Sequence, residues 1–147
     1  MKNILFVYEN QLPENFAENV EKTEITPKLS KIGEELNFDK IDAVAYFGEN
    51  KDNLKFVVEK AVENGVKRAV YVASAICYFN RRNPEKNLEK HPFVKNQAEC
   101  ENTILSFANE ISVSIAEIPV FYALPKEIFT IDGVPALKFR KFYLTFD

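Results

Sequence analysis

Three kinds of side chain in this sequence have the means for chemistry: a lone histidine, a serine closing an apolar run, and two thiols. His91 is the only histidine among 147 residues, and imidazole is the side chain that carries a proton near neutral pH without special help. Its place before Pro92, beside a polar stretch, reads more simply as an exposed loop position. Ser74 follows the run Val70-Tyr71-Val72-Ala73; without a base it is a weak nucleophile, and otherwise it is a small residue ending a strand. Cys77 and Cys100 lie in apolar segments without metal-ligand spacing, so small core residues are the simplest reading and no metal site is expected. Phe93, Cys100, Ile104, Phe107 and Ile111 recur at helical spacing, which turns Phe93 toward a core.

Composition narrows the classes of function. Net charge is −3 and acidic and basic residues interleave, so there is no basic stripe and no nucleic-acid partner is expected. No apolar run approaches the roughly 20 residues that span a bilayer. The start, Met1-Lys2-Asn3-Ile4-Leu5-Phe6-Val7-Tyr8, is too short and then too acidic for a signal peptide and reads as a first strand. Unpaired thiols fit a reducing cytoplasm. The expectation is one cytoplasmic domain over residues 1–147.

Strand-length apolar runs alternate with helical periods, the pattern of a parallel α/β sheet. Residues 4–8, 41–47, 68–73 and 112–118 read as strands. A short helix is expected after Pro13, and a weak strand at 23–26. Thr26-Pro27 then looks like an N-cap with proline at the first helical position, and Leu29, Ile32, Gly33 and Leu36 would supply that helix's buried face. Leu54, Val57, Val58, Ala61 and Val62 mark the clearest helix, at 52–64, closed by Gly65. Another helix is expected over 93–109, and residues 80–90 read as a polar surface loop. At the end, 128–131, Asp132-Gly133 and a run through Phe139, Phe142, Tyr143, Leu144 and Phe146 predict a hairpin. Pro135 argues that this arm is an edge.

Three segments together resemble the extended and atypical short-chain dehydrogenase/reductases, the group of NAD-dependent epimerases and dehydratases. Val57-Val58-Glu59-Lys60-Ala61-Val62-Glu63-Asn64-Gly65-Val66-Lys67-Arg68-Ala69-Val70-Tyr71-Val72-Ala73-Ser74 is similar to the family helix, its Gly-Val-Lys-Arg turn and the strand ending in the catalytic serine. Tyr78 stands four residues on, where such proteins often carry a tyrosine. His91-Pro92-Phe93-Val94-Lys95-Asn96-Gln97-Ala98-Glu99-Cys100-Glu101 resembles the segment bearing the catalytic Tyr-x-x-x-Lys. Ile115-Ala116-Glu117-Ile118-Pro119-Val120-Phe121-Tyr122-Ala123 resembles the strand ending in Arg-Pro-Pro and Tyr-Gly. The resemblance covers about the central half of the chain. It implies a Rossmann-like parallel sheet flanked by helices, here shortened, with the C-terminal β-hairpin or edge strand in place of a substrate domain.

The departures bear on chemistry. The family tyrosine is Phe93, which has no proton to exchange, and the family lysine is Gln97, which has no charge to lower a phenol pKa. Only Ser74 of that triad remains. The stretch Tyr8-Glu9-Asn10-Gln11-Leu12-Pro13-Glu14 contains no glycine for close approach of a pyrophosphate, and Glu9 and Glu14 would repel one. Glu117 and Ala123 stand where the third segment's arginine and glycine belong. With 73 residues before Ser74, about one strand–helix unit is missing.

A non-catalytic NAD(P)-binding-fold protein is therefore expected, acting by protein association or loose ligand binding. No cofactor is expected, and weak NAD(P) binding in another pose stays open. The apolar tail predicts a homodimer and leaves room for another protein partner; the plainer alternative is that the tail closes the edge of its own sheet. Two other readings stand beside this one. One is a divergent NAD(P)-dependent oxidoreductase or epimerase relative using Ser74 with Tyr78, Tyr122 or His91 in a cleft near Phe93 and Gln97. The other is a dinucleotide-sensing regulator.

Overall fold

The computed structural model describes residues 2–12 and 14–118, together with the backbone of three strands between residues 128 and 145. Among the described residues the chain is α/β. Strands β1 (Lys2–Tyr8), β2 (Ile25–Lys31), β3 (Ala43–Phe47), β4 (Arg68–Ser74) and β5 (Ser112–Ile118) form one sheet in the order β2-β1-β3-β4-β5. Every pairing in it is parallel, a shortened Rossmann-like arrangement. Helices α1 (Phe16–Glu21), α2 (Lys51–Glu63), α3 (Ile76–Arg82) and α4 (Pro92–Leu105) occur among the crossovers. No helix among the described residues is long and apolar enough to cross a membrane.

The apolar runs explain the core. Leu5 and Val7 of β1, Val44 and Tyr46 of β3, and Ala69, Tyr71 and Ala73 of β4 alternate onto one face. There they meet Leu54, Val57, Val58 and Ala61 of α2 and Cys100 and Ile104 of α4, all buried. Asn50 starts α2 by accepting the N–H groups of Asp52 and Asn53 at 2.9 and 3.0 Å, and Gly65, at φ +71°, ends the turn that follows it. On the opposite face Phe6 and Phe47 pack against Phe16 of α1, with ring centroids 5.0 and 5.7 Å from that of Phe16.

The segment after Thr26 corrects an expectation: it is strand, not helix. Pro27 lies in β2 opposite Ile4, and β2 is an edge strand, where a residue without an N–H is tolerated. Gly33 adopts φ +96° in the turn that follows, and Leu29 is 44% exposed. The crossover to β3 is then made without a helix. Ile32, Leu36 and Phe38 pack on the core from irregular backbone, so the apolar spacing was real but the period was not helical. The polar stretch 80–90 is likewise more ordered than a loop. It holds the end of α3 and two 3₁₀ turns, Pro84–Lys86 and Leu88–Lys90, with Leu88 fully buried. Helix α4 stops at Leu105, and residues 106–110 continue as turns.

Toward the C-terminus, β6 (Ile128–Ile131), β7 (Val134–Phe139) and β8 (Phe142–Thr145) make a separate antiparallel sheet in the order β6-β7-β8. The hairpin expected between β6 and β7 is present, with Ile131 opposite Val134. The last run is two strands rather than one arm, and the strand holding Pro135 is the central one. Pro135 lies across from Thr130 of β6, and the described pairing of β7 with β8 runs from Ala136 to Phe139.

Candidate functional site

The sheet order creates one topological switch point: from β1 the chain goes to β2 on one side and then to β3 on the other. Connections leaving β1 and β3 diverge there, and in open α/β sheets this is where ligands enter. In this protein the place is occupied by Glu9, the residue after β1. Its Oε2 accepts the Glu49 N–H at 3.1 Å and its Oε1 accepts the Asn50 N–H at 2.9 Å. The Tyr46 hydroxyl also donates to Oε1. One carboxylate thus takes two backbone donors just before α2, where the helix dipole favours negative charge.

Neighbouring residues are built around this contact. A Cβ on Gly48 would collide with the Glu9 side chain, so glycine is what lets the carboxylate in. The Tyr71 hydroxyl donates to the Gly48 carbonyl at 2.9 Å and holds the same loop from β4. Burial raises the pKa of Tyr46, the bond to Glu9 raises it further, and burial does the same to Tyr71, so both phenols stay protonated donors. Beside Glu9 a crevice of about 290 Å³ is lined by Glu9, Glu49, Asn50, Lys51, Asp52, Asn96 and Glu99. Its one lysine pairs with Glu99 at 3.5 Å.

The residues singled out by resemblance lie further along the sheet. Ser74 and Gln97 do meet: the Ser74 N–H donates to Gln97 Oε1 at 3.0 Å, and both residues are buried. The Ser74 hydroxyl accepts the Ile76 N–H at 3.0 Å, so it supports the start of α3. Phe93 packs with Ile76, Cys77, Leu88 and Val94 in a small apolar cluster, as its spacing implied. His91 caps α4, its Nδ1 accepting the Phe93 N–H at 3.3 Å. Tyr78 instead faces solvent, 55% exposed, with the Arg82 guanidinium 5.8 Å from its ring centre. Tyr122 lies outside the described residues. Both cysteines are buried and free; burial pushes Cys100 up to about 12 and Cys77 higher, which leaves both as unreactive thiols at neutral pH.

A second polar cluster had no signal in the sequence. Arg81 at the end of α3 donates through Nη1 to Glu101 Oε2 of α4 at 2.9 Å and through Nη2 to Glu117 Oε1 of β5. Glu101 is buried, and its carboxyl is raised to about 7, first by loss of hydration and then by the charge of Glu117, with Arg81 pulling the other way. The Glu117 that displaces the resemblance's arginine is thus matched by an arginine from another element. Among the described residues no group of three or more His, Cys, Asp or Glu is placed to hold a metal ion. Compared with models of known families and with characterised proteins, the chain matches none.

Proposed function

We propose that this protein is a non-catalytic member of the Rossmann-like class that works by protein association or by loose binding of a small ligand, not by dinucleotide redox chemistry. The observation that carries this reading is Glu9: its carboxylate holds the N–H groups of Glu49 and Asn50 at the switch point. A ligand phosphate would need those donors, would have to displace a hydrogen-bonded carboxylate, and would face Glu49, Asp52 and Glu99 across the crevice. A ligand admitted there is neutral or cationic.

Two further features support the non-catalytic reading over a divergent oxidoreductase. The Ser74 hydroxyl is buried and committed to the Ile76 N–H, and Phe93 and Gln97 offer no proton carrier. Association is assigned to the apolar C-terminal strands, and a homodimer is the expected form. Calorimetric titration with NAD(H) and NADP(H) tests the first part: no saturable heat at millimolar cofactor is expected, and micromolar binding would overturn the reading in favour of an enzyme or a dinucleotide sensor. Sedimentation at micromolar protein tests the second, and a monomer alone would remove the homodimer.

A further inference from the structure

Among the described residues the Arg81 cluster has one positive charge too few. Its guanidinium spans two carboxylates on different elements, Glu101 on α4 and Glu117 on β5, which brings the two carboxyls within interacting reach of each other. The other oxygens, Glu101 Oε1 and Glu117 Oε2, are buried without a hydrogen-bond partner among the described residues. Both side chains are largely withdrawn from water, at 10% and 17% exposure. Two ionised carboxylates in that setting would repel, each with an unsatisfied oxygen, and a single arginine cannot neutralise both. One proton resolves the imbalance. It converts an acceptor into an O–H donor for the neighbouring carboxylate and brings the trio to zero net charge.

We propose that Glu101 and Glu117 hold one proton between them and, with Arg81, form a pH-operated clamp that fixes α3 onto α4 and β5. The ionisable groups facing Glu101 are Arg81 and Cys77 from α3 and Glu117 from β5. Cys77, kept protonated by burial and by the two carboxylates, adds no charge, and its thiol hydrogen-bonds Glu101 and partly opposes the rise of that carboxyl. When the proton leaves, the cluster carries a net −1 and the carboxylates push apart, loosening α3 from its two supports. Because Glu117 lies one residue from the end of β5, the same step loosens the end of an edge strand.

Carbon-13 NMR of the glutamate side-chain carboxyls in the whole protein measures the proton directly. The Glu101 carboxyl is expected to titrate near neutrality, and E117Q is expected to bring that titration down by a unit or more. Amide exchange of residues 76–82 reads the clamp. At pH 8 these amides should exchange about tenfold faster in the wild type than in E101Q, and at pH 5 equally. Should E101Q fail to fold, the wild-type titration still decides the matter. Glu101 titrating below pH 5, or α3 protection that is identical in wild type and E101Q at every pH, would overturn the proposal.

Discussion

Glu9 and the Glu101–Glu117 pair are both carboxylates drawn in at the sheet, yet they are stabilised in opposite ways. Glu9 meets fixed dipoles: two backbone N–H groups and a phenol aimed at it by β3 and the start of α2. Its charge is welcome there and needs no counter-ion. Glu101 and Glu117 share one half-exposed guanidinium and keep two buried oxygens without partners among the described residues. A carboxylate held by backbone donors is a permanent structural part, whereas two carboxylates sharing an arginine depend on a proton. The first closes a place where this fold admits ligands, and the second makes a region of the molecule sensitive to pH.

The sharpest way to separate the two sites is stability against pH. Glu101 is raised to about 7 in the folded chain and reverts to an ordinary carboxyl near 4.3 on unfolding. The folded state therefore holds the proton more tightly, and this contribution is complete below about pH 4.3. It is lost as pH rises to about 7, by on the order of 4 kcal/mol at roughly 1.4 kcal/mol per unit. Urea denaturation from pH 4.5 to 8 should show that decline in the wild type and a much flatter profile in E101Q. Arg81→Ala should cost about 2–3 kcal/mol at pH 8, the low side for a broken buried pair because the guanidinium is half exposed. At pH 5, where one carboxyl is neutral, the loss should shrink.

At the other site Gly48→Ala should cost about 2 kcal/mol, because the new Cβ expels Glu9 from its donors. Chemical denaturation gives the size, and the loss should not change between pH 6 and 8, in contrast to Arg81→Ala. The smallest effect expected is at His91→Ala, which removes the α4 cap and should cost about 0.5–1 kcal/mol. A larger loss there would give His91 a role beyond capping.

Both sites are instructive about what a sequence carries. Strands β1, β3, β4 and β5 and helix α2 were legible because each is a local apolar pattern that burial rewards directly. The pairing of Ser74 with Gln97 was legible only as an order of motifs in a resembling family. Strand β2 was misread because Leu29, Ile32, Gly33 and Leu36 mimic a helical stripe, while the deciding facts, an edge position for Pro27 and a positive φ at Gly33, belong to the sheet and the turn. Glu9 was read as a charge that repels phosphate, but its donors at Glu49 and Asn50 come 40 residues later and meet it only through the strand order. Arg81, Glu101 and Glu117 meet through three separate elements, and Arg81 sat in a stretch whose polarity read as loop.

The claim that Glu9 fills the ligand position is tested most directly at the donors themselves. Nitrogen-15 NMR of the Glu49 and Asn50 amides, during addition of NAD(H), NADP(H) or inorganic pyrophosphate to millimolar concentration, should show no saturable shift. A saturable shift of those two amides at micromolar ligand would mean that they are open to phosphate, and would contradict the account.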